Sequence, residues 1–114
     1  MITPTDSEIV WHHALSTRRR APVSIAHEQW AASEPAEARE AALVGLRRAL
    51  SDFRAARALL VRRQAVVPRT APVHQWYTRQ IAERDRIIAA REALIAEVER
   101  DGMPPWPWPS RGGR

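Results

Sequence analysis

Between Ser33 and Gly102 apolar residues recur every three or four positions, in two runs divided by Val66-Val67-Pro68-Arg69-Thr70-Ala71-Pro72. In the first run Leu43 and Leu50 share a heptad column with Arg57 and Gln64. Arg39, Leu46, Phe53, Leu60 and Val67 form its companion. This spacing predicts a helix over about 34–65. Pro35 sits in the first turn, where a missing N–H costs nothing, and Glu34, Glu37 and Glu40 suit the positive end of the helix dipole. The second run pairs Ile81, Ile88 and Ile95 with Tyr77, Arg84, Arg91 and Val98, and predicts a helix over about 72–101 that begins at a Thr70 cap and closes on Gly102. Two helices of nearly equal length with a turn at 66–71 make an antiparallel hairpin over 34–102. The expected fold is all-α and coiled-coil-like.

The flanking stretches carry shorter signals. Thr5 and Glu8 have capping-box spacing, which predicts a helix from about Asp6 to Thr17. The basic run Arg18-Arg19-Arg20 leads to Pro22, a helix stop. Ser24 is placed to cap a second short helix, Ile25 to Ala32, bearing His27 and Trp30. Residues 1–33 therefore read as short N-terminal helices with a basic linker, too short to be stable alone. Residues 103–114 carry Met103-Pro104-Pro105-Trp106-Pro107-Trp108-Pro109, where alternating prolines forbid helix and favour an extended tail.

Three features mark candidate partner contacts. Ile87 and Leu94 form a second apolar column beside the main seam, and a helix with two adjacent seams touches two neighbours. The second neighbour would be a leading helix, another subunit or a different protein. Arg84 and Arg91 lie between the seams, where an arginine sets register or meets an acidic group. With the turn near residues 67 and 68, Arg84 is expected near Asp52 and Arg39 near Glu97. Trp106 and Trp108 are large apolar groups on a chain that proline keeps extended, so at least one is expected to be buried on a helical surface of this chain or its neighbour. The tail resembles tryptophan/proline-rich cationic antimicrobial peptides, a likeness that implies affinity for membrane interfaces.

Composition sharpens the need for a partner. Alanine supplies 20 residues, whereas Leu, Ile, Val and Phe together number 23, little for a packed interior. A two-helix hairpin has a seam rather than a core, so the chain is expected to need copies of itself or a larger assembly. The net charge of +5 is carried by 18 arginines with no lysine and no asparagine, a bias expected of a GC-rich genome. From Phe53 to Ala82 there are six arginines and no acid, so the turn end is basic. Arg54, Arg62, Arg63, Arg69 and Arg79 are the candidates for weak phosphate contacts with nucleic acid. Cysteine is absent, which excludes disulfides and thiolate metal sites. No signal peptide and no transmembrane run is read, so a cytoplasmic or virion-associated protein is expected.

Catalytic patterns are missing. His12 and His13 are adjacent and diverge on a helix, while His27 and His74 are isolated. No HExxH, phosphate-cradling glycine loop or nucleophile motif occurs. No catalytic residue, cofactor or metal is expected, and the chain reads as a non-enzyme. Its size and hairpin match small type VII secretion substrates, but the Trp-x-Gly turn is replaced by Pro68-Arg69-Thr70 and Tyr77 is followed at the fourth position by Ile81 rather than an acid. A basic hairpin behind short leading helices resembles small terminase subunits of tailed phages in architecture. The expected function is a structural or accessory component of a phage or mobile element that oligomerises or docks on a larger complex; the alternative is a nucleic-acid-binding accessory protein.

Overall fold

A computed structural model describes residues 2–18 and 26–109. Its elements run in the order α1 (Pro4–Thr17), α2 (His27–Ser33), α3 (Pro35–Ala65) and α4 (Pro72–Asp101). The architecture is all-α, with α3 and α4 packed against each other as the hairpin expected from the heptads.

Local chemistry explains where these helices begin and end. The N-cap of α1 is Thr3, whose Oγ1 accepts from Asp6 N–H at 3.0 Å, with Pro4 at the first helical position. This corrects the Thr5/Glu8 box: proline's missing N–H and fixed φ favour starting two residues earlier. In α2 the N-cap Ala26 offers no side-chain bond. The expected Ser24 cap, the Ile25 start, Arg19, Arg20, Pro22 and the end of the tail from Ser110 lie outside the described residues. The turn after α3 is closed by backbone bonds, Val67 N–H to Gln64 O at 3.0 Å and Ala71 N–H to Pro68 O at 3.0 Å. Gly102 ends α4 with φ +83° and donates to Val98 O at 2.9 Å. Only glycine takes that φ at little cost.

The chain divides into two compact units. The first comprises Met1–Arg47 and Leu94–Arg114, and the second Arg48–Ala93. The first unit has a closed interior of Val10, Trp11, Ala14, Trp30, Leu43, Leu46, Leu94, Ile95 and Val98, all buried. Alanine contributes to this core, since Ala38, Ala41 and Ala42 are buried as well. With Gly45 they form a small-residue flank on α3, at the three- and four-residue spacing of one helix face. That flank lets α1 approach closely: a Cβ on Gly45 would meet His13 Cβ at 2.9 Å and Thr17 Oγ1 at 2.8 Å. Arg39 reaches across to the end of α4 and donates to Val98 O at 3.2 Å, which Gly102 N–H also caps, and to Glu99 O at 2.7 Å, one of the last carbonyls of the helix.

The second unit is a bare two-helix hairpin. Of its described residues only Leu50 is buried, at 6% exposure; Phe53, Leu60, Ile81, Ile87 and Ile88 are half-buried. Ion pairs staple one side, Arg54 to Glu92 at 2.7 Å and Arg57 to Asp85 at 2.5 Å. Near the turn Gln64 donates to His74 O at 3.1 Å and Thr78 Oγ1 at 2.7 Å, which occupies the amide in its seam position.

Candidate functional site

At about 100° per residue, Ala56 and Leu59 lie on the side of α3 away from Arg54, and Trp76 and Ile87 on the side of α4 away from Asp85 and Glu92. The hairpin of the second unit thus has one side stapled across the helices and an opposite side on which Leu59, Trp76 and Ile87 stand among Asp52, Arg63 and Glu83. Leu59 is 39% exposed, Trp76 44%, and Ile87 is half-buried. Trp76 belongs to the column that the sequence marks with Ile87 and Leu94, spaced eleven and eighteen residues from them, and only its distance from the rest of the pattern hid it. Leu94, by contrast, is buried in the interior of the first unit. Of the two second-column residues expected to meet a partner, Ile87 is the one left open.

The seam arginines differ from one another. The Arg91 guanidinium lies over the Phe53 ring at 5.8 Å, a cation–π contact within the hairpin. Arg84 is half-buried. The cross-hairpin acids are engaged by Arg54 and Arg57 of α3.

The turn end joins cationic and apolar surface. The exposed large hydrophobic residues among the described ones are Leu59, Val61, Val66, Val73 and Trp76, all in the acid-free stretch. Val66 is 84% exposed. Arg62, Arg63, Arg69 and Arg79 are exposed on the same segment, and no ion pair holds them among the described residues. Arg54 differs from these four because Glu92 already neutralises it.

The tail is seated in the first unit, against α1. Trp11 Nε1–H donates to Pro104 O at 2.9 Å and to Pro105 O at 3.2 Å, and Ser7 Oγ donates to Pro105 O at 2.8 Å. Trp106 meets Trp11 edge-on with centroids 5.1 Å apart, and Trp108 meets His12 at 5.2 Å and Trp106 at 5.1 Å. Pro104 and Trp11 are buried, whereas both tail indoles are half-exposed. Ser7 and Trp11 are four residues apart on one helix face. Sequence reasoning missed their role because nothing in a Ser-x-x-x-Trp spacing announces two carbonyl-seeking donors.

A concavity of about 200 Å³ lined by Thr17, Glu37, Glu40, Ala41 and Val44 gathers two carboxylates and one hydroxyl. Among the described residues no three His, Asp or Glu side chains cluster, and no helix is long and apolar enough to cross a membrane. Neither a protein-family model, nor a curated protein, nor a solved structure matches this chain.

Proposed function

We propose that this chain is a non-enzymatic helical assembly protein that associates with copies of itself through the flank of its bare hairpin that bears Leu59, Trp76 and Ile87. The observation that carries this reading is the contrast between the two units. One closes a core, while the other leaves Leu59, Trp76 and Ile87 facing out beside a seam that stays half-exposed. Trp76 and Ile87 would be the anchors of such an interface, with Asp52, Arg63 and Glu83 as its polar neighbours. Burying one such side chain contributes about 1.5–3 kcal/mol. A chain carrying Trp76→Glu and Ile87→Glu should therefore dissociate by at least about tenfold in affinity, with little loss of helix content because neither residue is in the core. Light scattering across a concentration series, paired with circular dichroism, measures both. A wild-type chain that stays monomeric at every concentration would overturn the reading.

A second reading is supported by the free arginines at the turn end: nucleic acid held loosely through phosphates. Four phosphate contacts imply a slope of roughly −3 for the logarithm of affinity against the logarithm of salt. Reversing Arg62, Arg63 and Arg69 should abolish that binding, and no binding by wild type at low salt removes this reading. Apolar association of the flank should respond little to the same salt range.

A further inference from the structure

We infer that the face of α1 formed by Ser7, Trp11 and His12 is a recognition site for a Trp/Pro segment, and that the tail of a second copy can occupy it in place of the chain's own. The inference rests on the reading of the chain as self-associating, and it names a partner segment and a site separate from the hairpin flank.

The site is specific in its chemistry. Two donors on consecutive turns of α1, one of them the nine-tenths-buried indole of Trp11, converge on the carbonyls of Pro104 and Pro105. Proline carbonyls suit such donors: an extended proline chain has no N–H to spend on its own hydrogen bonds and holds its acceptors outward. The rings of Trp11 and His12 then receive Trp106 and Trp108 edge-on. Aromatic side chains with a polar N–H are the usual means of holding proline-rich segments.

Exchange between copies follows from how the tail is attached. Its side-chain hydrogen bonds and ring contacts outside itself run to α1, not to α4 from which it emerges. It leaves α4 through Gly102, where φ is +83° and nothing lies within 4 Å of a Cβ position. A rotation at this joint redirects the segment, and a second copy's tail then restores the cover that Trp11 loses. Every contact made within one chain can then be remade between two, the condition for reciprocal swapping. Proline lowers the ordering cost of the free segment, and association through the hairpin flank raises its local concentration near a neighbour's α1.

The lack of native cysteine allows a direct test. Full-length Ser7→Cys and Pro105→Cys chains are mixed at a concentration where wild type self-associates, then oxidised. The expected result is a heterodimeric disulfide in clear excess over homodimers of either variant, suppressed by a synthetic peptide of residues 103–109. Placing Trp11→Phe in the Ser7→Cys chain keeps an aromatic ring, smaller than indole, but removes the N–H donor, and should weaken binding of a fluorescently labelled peptide of residues 103–109 by about tenfold. Ser7→Ala, at the rim of the site, gives a milder loss should the Trp11 variant fold poorly. Closure of the Ser7→Cys/Pro105→Cys double variant only within one chain, with no heterodimer from the mixture, would overturn the inference. If the wild type still self-associates by light scattering in that case, the flank reading stands and only tail exchange is lost.

Discussion

Gly45 shows how one missing Cβ sets the approach of two helices. In mid-helix a glycine costs about 1 kcal/mol relative to alanine, so propensity alone would reward Gly45→Ala. Packing opposes it. The new methyl would sit 2.9 Å from His13 Cβ, an atom fixed to the α1 backbone rather than the free end of a side chain. Overpacking of this kind costs typically about 1–3 kcal/mol, so we expect a net loss, seen as a lower midpoint in urea unfolding followed by circular dichroism. Gly102→Ala is the informative comparison. It meets no atom but must hold φ +83°, so its cost of about 1–2 kcal/mol is purely conformational and should leave the spacing of α1 and α3 untouched. Should Gly45→Ala stabilise the protein, α1 does not lie where Gly45 puts it.

At the scale of elements, what could be read from the chain was what repeats. The heptads of Leu43, Leu46 and Leu50, and of Ile81, Ile88 and Ile95, fix the two long helices because large residues at seven-residue spacing have one common face. The hairpin follows from their matched lengths. Alanine misled the reading of the core, since Ala38, Ala41 and Ala42 count as weak hydrophobes in composition. In the fold they matter for being small: they and Gly45 admit α1, whose Trp11 and Val10 supply the bulk. The register of the ion pairs was also only roughly legible. Long arginine side chains reach a turn or more along their neighbour, so Arg57 finds Asp85 and Arg54 finds Glu92. The tail's contact with a helical surface was foreseeable from two indoles, although both stay half-exposed where at least one is expected to be buried. That the surface is Ser7 and Trp11 was not, because the decisive partners are proline carbonyls, which every proline possesses.

For the whole molecule, unequal burial implies unequal local stability. Amides of α1 and of Ala41–Leu46 lie over a closed interior and should exchange hydrogen only through large openings. Those of Phe53–Ala90 lie in the part of the hairpin beyond its one buried residue, Leu50, and should open more readily. A partner seated on the flank stabilises the state it binds by mass action. Raising the protein from far below to about a hundredfold above its dissociation constant adds about 2.7 kcal/mol to the protection of the segments it covers. We therefore expect exchange in α3 beyond Phe53 and in α4 before Ala90 to slow as concentration rises. Protection across α1 should stay nearly constant, because tail exchange replaces each contact there with an identical one. Mass-resolved hydrogen exchange at several concentrations separates these segments. Slowing confined to α1 and the tail would move the interface to the first unit and leave the flank without an occupant.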